Sequence, residues 1–178
     1  MRRDFEIRWL LSATTLLAAA PAAATTYFTL EQAQQALFPG QVLTPHPVAL
    51  TPAQSKAVQQ ASGVHVRSRE VKVWRVAGGG WFYLDQVLGK HEFITYALAL
   101  DAQGAVAGLE ILDYRETYGG AIRNPQWRAQ FAGKRFGAPI KLDADIVNLS
   151  GATLSSAHIA DGVRRLLATH ALAVAHHD

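Results

Sequence analysis

Between Glu70 and Glu116 the chain reads as a run of strands joined by short turns, and that run limits the fold more than any other stretch. Val71, Val73 and Arg75 alternate with Lys72, Trp74 and Val76, the period of a β-strand. Gly78-Gly79-Gly80 turns the chain into Trp81-Phe82-Tyr83. Glu92 to Leu100 mixes aromatic, β-branched and aliphatic residues, Asp101-Ala102-Gln103-Gly104 is a turn, and Ala105 to Tyr114 is the partner strand. Strands joined this tightly pair antiparallel, so the segment predicts a meander with one buried face. A long apolar-periodic run follows from Thr153. Ile159, Val163, Leu166, Leu167 and Val174 share its core stripe, with Asp161, Arg164 and Arg165 opposite. Sheet first and long helix last make the class α+β, a single domain in which an antiparallel β-meander packs with a long C-terminal helix and smaller helices.

The smaller helices carry their own start and stop signals. Residues 29–38 read as a helix with Thr29 and Gln32 as a capping box and Pro39-Gly40 as its end. A Pro-rich loop (Pro45, Pro47) leads to a second helix, with Thr51 as cap, Pro52 in its first turn, Gln54 completing the box and Gly63 as stop. Both helices are polar and belong on the surface. Asn124-Pro125 opens a short helix whose Trp127 and Phe131 share a face, and Gly133 closes it. The aromatics Trp74, Trp81, Phe82, Tyr83 and Tyr96 suit the sheet core.

The amino terminus has a different character. Arg2, Arg3 and Arg8 flank an apolar run from Trp9 to Ala20, and Pro21-Ala22-Ala23-Ala24 follows. A basic region, a short apolar core and an Ala-x-Ala site make an export signal, and the run is too short to span a bilayer as a helix. The expected organisation is a signal peptide at residues 1–24, an N-terminal helical segment at 25–69 and the domain core at 70–178. The expected location is the periplasm, with membrane anchoring if the signal is not cleaved.

Several chemistries are disfavoured. With no cysteine in 178 residues, disulfides, thiolate metal sites and cysteine nucleophiles are excluded. The net charge of +3 is spread without a basic run or aromatic-interleaved stripe, so nucleic acid is not an expected partner. The histidines show no ligand spacing on a regular element, and His176-His177-Asp178 reads as a frayed tail. Ser150 lacks the frame of a nucleophile elbow.

The chemistry-bearing stretch is Asn148-Leu149-Ser150-Gly151-Ala152-Thr153-Leu154-Ser155-Ser156. Small residues deliver Thr153 to the first turn of the last helix, where free N–H groups and the dipole favour an anion such as phosphate. Thr153, Ser155 and Ser156 crowd that turn with hydroxyls. The same residues also suit an ordinary helix start with Ser150 as N-cap.

Ser150 to Ser156 resembles the signature of the extracytoplasmic FMN-binding domain family. That family includes the C subunit of the sodium-pumping NADH:quinone oxidoreductase and the G subunit of the Rnf complex. The blocks Gly89 to Tyr96, Asp101 to Gly104, Tyr114 to Gly120 and Trp127 to Lys134 resemble it in the same order. The resemblance implies FMN held through a phosphoester on Thr153, installed by an FAD:protein FMN transferase. It also implies that Ser150, Gly151, Ala152, Leu154 and Ser155 surround the phosphate, while Glu116, Thr117 and Tyr118 border the ring. Two departures stand out: Val147 and Asn148 where the family carries an Asp, and Tyr118-Gly119-Gly120 where better-known members carry Pro-Gly-Leu-Gly. The function implied is periplasmic electron transfer to or from a membrane redox protein. With no nicotinamide or substrate site visible, a redox subunit fits better than a self-sufficient enzyme. The alternative is a flavin-free periplasmic adaptor or binding module of the same fold.

Overall fold

The computed structural model describes residues 25–116 and 118–175. The expected signal at 1–24, Thr117 and the terminal His176-His177-Asp178 lie outside the described residues.

The meander forms as the alternation predicts. Strands β4 (Glu70–Val76), β5 (Trp81–Leu88), β6 (Phe93–Leu100) and β7 (Val106–Tyr114) follow one another antiparallel. β5 and β6 pair over their whole length, from Trp81↔Leu100 to Leu88↔Phe93. The β4–β5 turn needs glycine at Gly80, where φ is 102° and a Cβ would sit 2.5 Å from the Leu100 carbonyl oxygen.

The sheet is wider than the meander. β1 (Thr25–Thr26) pairs with β7 at one edge; β2 (Leu43–Pro45) and β3 (Val48–Ala49) both pair with β4. The segment expected to be a Pro-rich loop therefore holds two edge strands. Strands of two or three residues are too short to show a period, and Pro45 sits where an edge tolerates it.

Helices α1 (Leu30–Leu37) and α2 (Pro52–Ser62) begin with the capping boxes read from Thr29/Gln32 and Thr51/Gln54, and α2 stops at Gly63 in the left-handed conformation. α3 (Pro125–Arg128) is capped by Asn124. The long helix α4 (Thr153–Thr169) runs on into a π-helical turn, His170–Val174.

One buried face was expected, and two are found. The larger core lies under α4, where Tyr83, Ile94, Tyr96 and Leu98 meet Ile159, Val163 and Leu167. A smaller cluster of Ala33, Phe82, Ala97 and Leu112 fills the other face beneath α1. α1 hides its role in sequence because only Ala33 is fully enclosed, while Leu30 and Leu37 pack half-buried.

Arg165 is the second correction. Expected on the outer face, it is 8% exposed and paired with Asp85 on β5, whose carboxylate also accepts the Tyr96 hydroxyl at 2.6 Å. A buried guanidinium is tolerated because a carboxylate waits opposite it. Arg164 remains at the helix flank, paired with Asp161 and donating to the carbonyls of Ser62 and Ile140.

Removing one partner of the Arg165–Asp85 pair strands the other. Arg165→Ala is expected to lower unfolding free energy by about 3 kcal/mol in urea titrations. A pH effect follows from His170, whose Nδ1 lies 2.8 Å from the buried Tyr83 hydroxyl. Burial pushes His170 below its ordinary 6.5 and Tyr83 upward, so a neutral imidazole and a neutral phenol share this hydrogen bond. Below pH 6.5 the unfolded chain therefore binds a proton that the folded chain resists. Stability contributed by the neutral ring should be full above pH 6.5 and fall as pH drops below it, and the fall in thermal midpoint should shrink in His170→Phe.

Candidate functional site

A cleft of about 420 Å³ opens where three segments meet: the start of α4, the segment leaving β7 and the β5–β6 connection. Clefts of this size suit a small-molecule cofactor.

The α4 wall is set from behind. Trp127 Nε1 donates to the Val147 carbonyl at 2.7 Å, and the Val147 N–H donates to Gln130 Oε1 at 2.8 Å. α3 and the turn after it thus grip both backbone groups of the residue that leads into the helix. The chain turns at Gly151 (φ 76°), where a Cβ would meet nothing within 4 Å. Ala152 becomes the N-cap, and no side chain caps the helix. The ordinary cap with Ser150 does not form: Ser150 is exposed and does not line the cleft. The N–H groups of Thr153, Leu154 and Ser155 precede the first intrahelical bond, Ser156 N to the Ala152 carbonyl, and all three residues line the cleft. Thr153 is exposed, whereas Ser155 and Ser156 are buried. Two buried polar atoms beside this turn, Asn148 Oδ1 and Ser156 Oγ, have no partner among the described residues.

The second wall is tied to the first by Tyr114, at the end of β7. Its hydroxyl donates to the Tyr118 carbonyl and lies 3.2 Å from Ser155 Oγ. Gly119 (φ 95°) passes so close that a Cβ would stand 2.3 Å from that hydroxyl. No side chain fits there, which accounts for the first glycine of the pair. Tyr118 itself is 82% exposed, with its residue on the cleft.

The third wall is the turn after Leu88. Glu116 Oε1 accepts the N–H groups of His91 at 2.6 Å and Glu92 at 3.1 Å. Burial pushes its carboxyl up, but the N–H groups of His91, Glu92 and Lys90 outweigh that and hold it below the usual range. Gly89 is required beside it, since a Cβ there would come within 2.6 Å of Oε1.

Of the residues read from the sequence, Glu116, Tyr118, Gly151, Ala152, Thr153, Leu154 and Ser155 line one cleft. Lys90 and His91 line it too and were not on the expected site. Their block was visible at Gly89 to Tyr96, but nothing local indicated that a turn between two strands would meet the helix start. A second cleft of about 430 Å³ lies along β4 and β5, with the Asp85–Arg165 pair in its lining. Those two charges are already matched to each other.

All three walls fall within residues 89–168, and that stretch matches the family described as FMN-binding domain. The match covers just under half of the chain. It resembles the C subunit of the Na(+)-translocating NADH-quinone reductase of Yersinia pestis, with 33% identity over 131 residues, 61% of this chain and 47% of that protein. The corresponding protein of Vibrio vulnificus (strain YJ016) is 36% identical over 76 residues, 33% of this chain and 30% of that protein. The chain thus spans about half the length, or less, of these curated relatives. A crystal structure of Shewanella oneidensis NqrC aligns with a TM-score of 0.47 at 17% identity, over 66% of this chain and 62% of that one.

The residues lining this cleft fit a phosphorylated ligand. An uncapped helix start offers donors and positive potential to an anion, and the adjacent Gly151 leaves room for it. Tyr114 and Tyr118 divide the work in the second wall, one inside and one out. Tyr114→Phe should cost about 1 kcal/mol by leaving the Tyr118 carbonyl and Ser155 without their partner. Tyr118→Ala should change stability by less than about 0.5 kcal/mol, since it is a surface residue. Chemical denaturation of both variants checks the contrast.

Proposed function

We propose that this protein is an exported electron carrier that holds FMN covalently through a phosphoester on Thr153. The observation that carries the reading is the sorting of three hydroxyls at one helix start. Ser155 and Ser156 are buried, and Thr153 alone is exposed beside free backbone donors. A phosphodiester on Thr153 would retain one negative charge, set against the N–H groups of Thr153, Leu154 and Ser155. Gly151 and Ala152 would pass beneath the phosphate, and Tyr118, with Thr117 before it in sequence, would border the ring. The flavin, when bound, would supply the redox chemistry, and the protein its position and electrostatics.

Attachment needs a donor that already holds FMN in an activated phosphoanhydride. An FAD:protein FMN transferase meets that need, with AMP leaving as the Thr153 oxygen takes the FMN phosphate. The basic, apolar and small-residue pattern of residues 1–24 supports export to the periplasm, where a covalent tether keeps a cofactor that would otherwise diffuse away. The named relatives are subunits of a Na(+)-translocating NADH-quinone reductase, which supports a membrane redox protein as the partner in electron exchange.

Thr153→Ala made in a host with the transferase should remain folded, because the stripe from Ile159 to Val174 is untouched, and should carry no covalent flavin. Thr153→Ser should be modified in part, and Thr153→Val should behave like Ala. Intact mass and in-gel flavin fluorescence after denaturation read the outcome. Loading should also stabilise wild type by roughly 0.3–1 kcal/mol from the anion at the helix start. Flavin retained on Thr153→Ala would move the attachment elsewhere. Unloaded wild type would leave the flavin-free adaptor as the function.

A further inference from the structure

Among the described residues Glu116 is the one carboxylate lining the cleft, and its geometry shows it turned to another task. The N–H groups of His91 and Glu92 come to the same oxygen, Oε1. That oxygen also lies against Gly89, so the whole turn folds around it. Lys90, between the gripped residues and Gly89, lines the cleft opposite the start of α4. No other described residue lining this cleft carries an ammonium or a guanidinium. We propose that Lys90 forms a positively charged wall toward the flavin, and that Glu116 acts on the flavin as a positioning residue by holding that wall in place. The inference rests on the flavin reading above and adds to it the residues that set the redox potential.

Electron uptake adds negative charge to a flavin ring, so a fixed cation across the cleft favours the reduced form. Removing that cation should disfavour it. One unit charge across a partly solvated cleft changes an equilibrium constant by roughly tenfold, which for a one-electron couple is about 59 mV. The role of Glu116 can be probed apart from its charge because the His91 and Glu92 hydrogen bonds both end on Oε1. Glu116→Gln keeps an acceptor at that position and loses the charge; Glu116→Ala loses both.

The test is a redox titration of the covalently loaded protein, with Lys90→Gln made in three backgrounds: wild type, Glu116→Gln and Glu116→Ala. Lys90→Gln should lower the reduction equilibrium constant about tenfold in the first two and less than about twofold in the third, where the turn is no longer held. In the unloaded protein, hydrogen exchange at the His91 and Glu92 amides should quicken in Glu116→Ala and not in Glu116→Gln, a readout independent of flavin. A Lys90→Gln effect absent from wild type would overturn the charged wall while leaving the covalent flavin intact. An effect of equal size in all three backgrounds, or unchanged exchange in Glu116→Ala, would overturn the positioning role. Wild type that carries no flavin in a transferase-containing host would instead remove the reading beneath the wall, and the wall with it.

Discussion

The hydroxyl of Tyr114 stands where the sheet, the segment after β7 and the final helix come together. It leaves the end of β7, donates to the carbonyl of Tyr118 and reaches Ser155 in the first turn of α4. The segment after β7 is short and glycine-containing, and the helix start has no cap of its own. A buried phenol raises the cost of leaving any of these groups unpaired, so one side chain keeps two walls of a cleft at a fixed separation. Phenylalanine would keep the packing and lose the registration.

Behind that contact the scaffold is arranged to resist movement along the helix axis. Trp127 and Gln130 grip Val147, and Arg128 reaches from α3 to Glu110 and the Leu109 carbonyl on β7. The short helix therefore links the middle of the strand to the entrance of α4, while Tyr114 links its end. Two attachments at different points of one strand leave the start of α4 no simple way to slide. Binding sites built on rigid elements in this way hold ligand groups more closely than sites on loops alone.

Much of this was legible in the sequence because it is local. Capping boxes, glycine stops and strand alternation act over a few residues, and Thr29/Gln32, Thr51/Gln54 and Asn124 behave as their chemistry requires. What escaped detection depended on partners far along the chain. Arg165 looks like an outer-face residue until Asp85, eighty positions earlier, is placed beside it. The helix start looks like a Ser150 cap until Gly151 turns Ser150 away. Lys90 and His91 look like an ordinary hairpin until Glu116, beyond the end of β7, folds their turn against the cleft. The edge strands at Leu43–Pro45 and Val48–Ala49 were hidden for a different reason: they are too short to have a period, and they exist because β4 offers them a template.

One further property comes from the place where the chain enters the sheet. Thr25 lies opposite Tyr114, and Thr26 opposite Asp113, so β1 runs antiparallel to β7 beginning at its cleft end. The described chain therefore enters the sheet on the side where the cleft opens. Were the molecule fastened to a surface at that entry point, its cleft side would lie nearest the surface and the opposite pole would face away. A tether so placed raises the local concentration of the cleft near whatever shares that surface, without a dedicated binding interface. Attached at the other end of β7, the same leash would present the wrong pole.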